Sequence, residues 1–221
     1  MGLTEYKKKR RFNKTPEPGP QEKSSELGNV FVVQKHRATQ LHYDFRLEAD
    51  GVLKSWAVPK GPSMDPSVKR LAMQVEDHPV DYANFEGVIP EGEYGGGTVM
   101  VWDMGVYAPE NTTNVSNALR KGELKFTVLG KKLKGSFVLV RTRDRQWLLM
   151  KHKDEYAIEG EDITETEPYS IFTKRTLAEI AEDEGGDVKK AATGDPKKPP
   201  PRRGIKRRKK SAKKKVWHSN K

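Results

Sequence analysis

The 221-residue chain has no cysteine, and its longest apolar runs are no longer than Phe137-Val138-Leu139-Val140. Without thiols there is neither a disulfide scaffold nor a thiolate metal site, so any bound metal needs histidine and carboxylate ligands. Runs of that length fall far short of the roughly 18 to 20 residues a membrane-spanning helix requires. The basic residues Lys7 to Arg11 are not followed by an apolar stretch, so no secretory signal is expected and a cytoplasmic setting fits. Aromatics are sparse at 8%, but 34% of the chain is hydrophobic. That is enough for one domain with tails, the natural organisation at this length.

Charge is abundant and unevenly placed. The net +11 divides into +7 over residues 1–153, −10 over 154–187 and +14 over 188–221. The last region has almost no apolar residue before Val216 and Trp217, so it is expected to be a disordered basic tail suited to phosphate backbones. In the acidic region, Thr176 and Glu179 have capping-box spacing ahead of Leu177, Ile180 and Ala181, and Gly185-Gly186 ends the helix they predict. Residues 13–28, rich in Pro, Gly, Ser and Lys, read as an extended lead-in.

Between Val30 and about Lys153 the signals are mostly β. Short runs at 31–33, 41–47, 52–58, 71–75, 98–102, 124–129, 136–141 and 146–150 are punctuated by Gly, Pro or Asp. Seven or eight such strands predict a compact, closed or nearly closed antiparallel barrel with short helices. One helix is predicted over Val115 to Lys121, with Asn114 as its cap and Gly122 beyond its end.

The segment Leu41 to Glu48 alternates without a break. In a strand this puts Leu41, Tyr43, Phe45 and Leu47 on one face and His42, Asp44, Arg46 and Glu48 on the other. An imidazole, a carboxylate and a guanidinium then follow at intervals of roughly 6 to 7 Å. His42 and Asp44 can share a divalent cation, and Arg46 can take a planar anion held against it. His36 becomes a third ligand if the chain bends back through Arg37 to Gln40. Two His and one Asp leave positions open for water and substrate, and suit Mn, Fe, Zn or Ni.

His78 follows an apolar run and precedes Pro79, so it reads either as a turn residue or as a proton donor, with Tyr82 as a second hydrogen-bond donor. Lys60 and Arg70 could supply charge to phosphates, although surface solvation explains each of them on pattern alone. Glu91 to Gly97 lacks the Lys-Ser/Thr of a phosphate-binding loop and reads as a hairpin turn. No Gly-x-Ser-x-Gly elbow is present, which disfavours serine nucleophiles.

Three stretches together, Phe31 to Glu48, Gly51 to Pro62 and Val75 to Tyr82, resemble the 3′-phosphoesterase domain of bacterial DNA ligase D and its stand-alone relatives, and the similarity runs from about Tyr6 to Asp154. The resemblance implies a β-barrel enzyme, dependent on Mn²⁺, that heals 3′ ends for end joining. It removes a terminal ribonucleoside to leave a 3′-phosphate, then hydrolyses that phosphate to a 3′-OH. By similarity His36, His42 and Asp44 match metal ligands, and Arg46, His78 and Tyr82 match phosphate-contacting groups. Gln34, Lys60, Arg70 and Glu76 match further positions important for activity, as do Arg10 and Glu17 in the N-terminal segment. Where the family commonly has Arg-Asp-Phe, this chain has Arg10-Arg11-Phe12, so a carboxylate supporting the diesterase step is absent.

The implied partners are DNA primer-templates or DNA ends with a 3′-phosphate or 3′-ribonucleotide, together with a DNA ligase and other end-joining proteins. With no polymerase or ligase sequence attached, a nucleoid-associated monomer that acts alone or recruits partners is expected. The chain is accordingly divided into an extended N-terminal segment contributing to the site (1–29), a barrel (30–172), an acidic helix (173–187) and a basic tail (188–221). Two other readings compete. His42-Tyr43-Asp44 has the form of a non-haem iron oxygenase triad, with His78 as its third ligand. A non-catalytic nucleic-acid adaptor would use only the basic ends.

Overall fold

The strands begin and end where the local signals change. In the computed structural model, which describes residues 2–202, they are β1 (Val30–Arg37), β2 (Leu41–Ala49), β3 (Val52–Val58), β4 (Lys69–Gln74), β5 (His78–Pro79), β6 (Gly87–Ile89), β7 (Gly97–Pro109), β8 (Glu123–Gly130), β9 (Lys134–Arg143) and β10 (Gln146–Lys151). All eight runs read from the sequence are strands. The two-residue β5 and three-residue β6 are additions, too short to produce an alternation signal. Asp50 and Gly51, with φ of 53° and 74°, make the tight β2–β3 turn that an Asp-Gly pair favours.

The antiparallel order β1-β2-β3-β4-β10-β9-β8-β7 closes because β7 pairs back onto β1. The result is an eight-stranded barrel. Its interior is filled by alternate residues, including Phe31, Phe45, Leu47, Trp56, Trp102, Phe126, Phe137 and Trp147. A second apolar cluster lies on the outside of the wall, where Tyr6, Tyr82, Phe85 and Ile89 cover Val32, Leu53, Val99 and Val101. The N-terminal segment, the 3-10 helix Val80–Asn84 and β6 build this cover.

Glu48 explains how the lead-in is tied down. Its carboxylate accepts from the backbone N–H groups of Ser25 and Val30 and from the Ser25 hydroxyl, so it fastens the N-terminal segment instead of facing a ligand. The segment also contains a short helix, α1 (Thr4–Lys8), inside the stretch expected to be extended. Burial of Tyr6, whose hydroxyl donates to Pro18 O, anchors that turn against the wall.

Helix α2 (Val115–Lys121) has its expected cap, with Asn114 accepting from Asn117 N, and ends at Gly122 with φ 95°. A one-turn helix, α3 (Ile163–Thr166), follows the barrel. Helix α4 (Leu177–Glu184) has the Thr176–Glu179 capping box, stops at Gly185, and buries Leu177, Ile180 and Ala181.

Residues 188–202 differ from expectation. They include helix α5 (Val188–Ala192) with Ala191 buried, and the Pro-rich run after it is held by a bond from Tyr169 Oη to Pro200 O. Asp195, the sole acid after residue 187, accepts from the N–H groups of Leu177 and Ala178 and lies 3.9 Å from the buried Lys35 ammonium. That side chain and Arg202, which pairs with Glu179, tie the segment to α4, and average composition conceals both contacts. The disorder expected over 203–221 lies outside the described residues. Among the described residues no helix is long and apolar enough to cross a membrane.

Candidate metal centre on the outer wall

The register of β1 against β2 sets His36 opposite His42 and Gln34 opposite Asp44. The bend through Arg37 to Gln40 is the β1–β2 hairpin turn, so the two imidazoles become cross-strand neighbours with ring centroids 4.8 Å apart. Tyr43, Phe45 and Leu47 point into the barrel, and His42, Asp44 and Arg46 point outward. His42 is half-buried, and Asp44 and Arg46 are buried at 7% and 2% exposure, because the second apolar cluster and the N-terminal segment roof them over.

Backbone carbonyls set the imidazole protons. His36 Nε2 lies 2.8 Å from Gly95 O, so it donates there and leaves the Nδ1 lone pair 3.7 Å from Asp44 Oδ2. His42 Nδ1 donates to Gln40 O at 3.0 Å, which leaves Nε2 also 3.7 Å from Asp44 Oδ2. Fixing one ring nitrogen by a carbonyl is the usual way to orient the other toward a metal. The three donor atoms lie within 4.8 Å of one another, so the residues fit a divalent transition metal. Burial alone would raise the Asp44 pKa, but Arg46 and the two imidazoles outweigh it and hold the carboxyl well below its ordinary range.

Arg46 is fixed at three points. Its Nε donates to Gln34 Oε1 at 2.8 Å, its Nη1 to Ser55 Oγ at 2.9 Å, and its Nη2 lies 3.1 Å from Asp44 Oδ2. Gln34 is itself held, donating to Tyr82 O and Phe85 O. Strand β3 changes partner along its length: Val52 and Leu53 pair with β5, Trp56 and Ala57 with β4. At that change His78 enters the site, with its Nδ1 2.9 Å from both Arg46 Nη1 and Glu76 O, and its Nε2 3.1 Å from Arg10 Nη2. A neutral ring carries one proton, so donation to Glu76 O leaves Nε2 to accept from Arg10. Burial, then the Arg46 and Arg10 guanidiniums, keeps the His78 pKa well below its ordinary value.

Arg10 arrives from the N-terminal segment, between Glu17 Oε1 at 2.8 Å and Glu76 Oε1 at 3.2 Å, with its guanidinium 3.9 Å above the Tyr6 ring. The Tyr82 hydroxyl donates to the same Glu17 oxygen, and the Tyr82 ring lies 5.0 Å from the Arg46 guanidinium.

The structure thus brings together ten of the twelve sequence-derived candidates: Arg10, Glu17, Gln34, His36, His42, Asp44, Arg46, Glu76, His78 and Tyr82. Two stand apart. Lys60 is exposed in the turn after β3, and Arg70 shares the inward face of β4 with Ala72 and reaches toward Asp162 at 3.6 Å. Ser55 and Tyr6, both fully buried at the site, were not singled out. Alternation does place Ser55 on the outer face, whereas nothing local marks Tyr6. The oxygenase triad needs His78 beside His42 and Asp44, but His36 occupies that place and both His78 nitrogens face other partners.

Fold and site together define a β-barrel protein with an arginine-backed His-His-Asp centre on the outer surface of its wall. Residues 34–141 match the family model of the DNA ligase D 3′-phosphoesterase domain, and the chain belongs to that family. It is 51% identical over 183 residues to the multifunctional non-homologous end joining protein LigD of Pseudomonas aeruginosa, covering 79% of this chain and 22% of that protein. The LigD of Mycobacterium tuberculosis is 45% identical over 165 residues, covering 73% of this chain and 21% of that protein. The LigD of Mycolicibacterium smegmatis is 42% identical over 167 residues, covering 72% and 22% respectively. The chain spans about a fifth of the length of these relatives.

Proposed function

We propose that this chain is a manganese-dependent phosphoesterase of DNA 3′ ends, removing a 3′-phosphate and a 3′-terminal ribonucleoside to leave a 3′-OH for end joining. The observation that carries the reading is Asp44 Oδ2, which faces the free nitrogens of two imidazoles on one side and Arg46 Nη2 at 3.1 Å on the other. One place can therefore accept both a cation and the anion that the cation polarises.

His36, His42 and Asp44 would hold Mn²⁺. When bound, the ion neutralises phosphate oxygens and lowers the pKa of bound water toward about 7. Arg46 and Arg10 approach the cleft from different elements and present guanidinium donors to the phosphate, already oriented by Gln34, Ser55, Glu17 and Glu76. Donors fixed before the substrate arrives cost no reorganisation during the reaction. The neutral state of His78, with Nδ1 donating to Glu76 O and Nε2 accepting from Arg10, favours a role in holding Arg10 over the general-acid role. Tyr82 already donates to Glu17, so its hydroxyl supports Arg10 through that carboxylate.

Arg11, where the family commonly has an acid, pairs with Glu93 through Nε at 2.9 Å and Nη2 at 2.7 Å. It offers no carboxylate to the cleft, and the diesterase step is expected to be the weaker of the two. The relatives' names place them in non-homologous end joining, so the partners fitting this reading are DNA ends, a DNA ligase and other end-joining proteins, met by a monomer at the cytoplasmic nucleoid.

The test is a 5′-labelled primer-template with either a 3′-phosphate or a 3′-terminal ribonucleotide, incubated with Mn²⁺ and either wild type or His42→Ala. Conversion to a 3′-OH end by wild type and its loss in the variant are expected. A folded, Mn²⁺-loaded wild type that converts neither substrate overturns the proposal.

A further inference from the structure

Large exposed apolar side chains are scattered over the described surface, at Leu27, Leu71, Leu129, Tyr156, Ile158, Phe172 and Val188 among others. Tyr94 is the member of that set that lines the metal cleft. It is 48% exposed, on the turn between β6 and β7, and is followed by Gly95, whose carbonyl orients His36. The ring is therefore one residue from the anchor of a metal ligand, at the mouth of a cleft that Arg10, Glu76 and the three candidate metal ligands line together with Ala38 and Ile89. Burial does not account for it.

The turn that carries Tyr94 is braced. Arg11 grips Glu93 in a two-bond pair, Glu93 N donates to Pro90 O, and Gly96 N donates to Glu93 O. Lys9 Nζ donates to Tyr94 Oη at 3.3 Å and lies 4.7 Å from the ring centroid, and the Arg10 guanidinium is 5.5 Å from it. A rigid, half-exposed aromatic ring flanked by cations beside a phosphate site is the combination that single-stranded nucleic-acid sites use. Cations take the backbone, and the ring takes a base by stacking.

We propose that Tyr94 is the stacking platform for the terminal nucleoside whose 3′-phosphate enters the cleft, so that the protein reads a base-bearing end and not the phosphate alone. The inference rests on the phosphoesterase reading above and deepens it. Tyr94 acts on binding. It touches no reacting atom and changes preference among ends. Because every base has a π face, the platform recognises a nucleoside without choosing its sequence.

Two substrates of equal length test it, one ending in an ordinary nucleotide 3′-phosphate and one in an abasic residue 3′-phosphate. Wild type is expected to have a KM roughly tenfold lower for the base-bearing end, within the range of single stacking contacts. Tyr94→Ala should collapse that ratio toward one, while Tyr94→Phe and Tyr94→Trp keep it. Loss in Tyr94→Phe equal to that in Tyr94→Ala overturns the proposal, since it assigns the effect to the Lys9 contact instead of the ring.

Fluorescence of a terminal 2-aminopurine, read in metal-free protein, separates this inference from the enzymatic one. Quenching that Tyr94→Ala abolishes, without turnover by any form, keeps the platform and overturns the phosphoesterase reading. Turnover with the same end preference in wild type and Tyr94→Ala overturns the platform and leaves the enzyme.

Discussion

Arg10 reaches the cleft from outside the barrel, and two buried carboxylates hold it there, Glu17 at 2.8 Å and Glu76 at 3.2 Å. Glu17 also takes the Tyr82 and Thr15 hydroxyls, so one side chain sets three others. Glu17→Ala leaves Arg10 and Tyr82 short of a partner in a desolvated place. Breaking a buried ion pair in this way costs about 3 kcal/mol, which urea denaturation should register. Misplaced Arg10 should also lower turnover on the order of 100-fold. Mn²⁺ affinity, read by titration calorimetry, should stay close to wild type, because Glu17 touches none of His36, His42 and Asp44. A loss of metal affinity as large as the loss of turnover would count against the positioning role.

The elements that legible capping signals predict, α2 and α4, occur where expected because a cap is a contact within one turn of chain. Helix α5 depends on a longer link. Asp195 accepts from the first two N–H groups of α4 and neighbours the Lys35 ammonium, and so folds residues 188–202 back onto the barrel's end. Asp195→Ala should cost about 1 kcal/mol as a lost cap. It should also speed tryptic cleavage after Lys189 and Lys190, followed by mass spectrometry. Unchanged cleavage would show that the Tyr169–Pro200 and Arg202–Glu179 contacts hold the segment without it.

The whole domain responds to pH through the same buried site. His78, wedged between two guanidiniums, stays neutral in the folded protein well below the pH at which the unfolded chain takes up a proton on this ring. Below about pH 6.5 the unfolded state then binds the extra proton, so stability falls as pH drops and recovers as pH rises. His36 is also shifted down, by burial first, and acts in the same sense. Denaturant midpoints of the metal-free protein should decline between pH 7 and pH 5, and His78→Gln should flatten that decline. A variant that declines as steeply as wild type would remove His78 from the account.

Strand alternation, turn chemistry and helix caps are local, and they made the eight barrel strands, both capped helices and the His42-Asp44-Arg46 row readable along the chain. A strand's faces alternate for steric reasons alone, so the row could be assigned to one face of β2 without its neighbours. Which side of the barrel wall that face meets, and whether water reaches it, followed from contacts between distant parts of the chain. Arg10 meets His78 across 68 positions and Lys9 meets Glu76 across 67. The roof over Asp44 and Arg46, the exclusion of Lys60 and Arg70 from the cleft, and the place of Tyr94 at its mouth all belong to that long-range packing. No pattern of period two or 3.6 encodes such meetings, because they depend on which apolar surfaces remain uncovered once the barrel has closed.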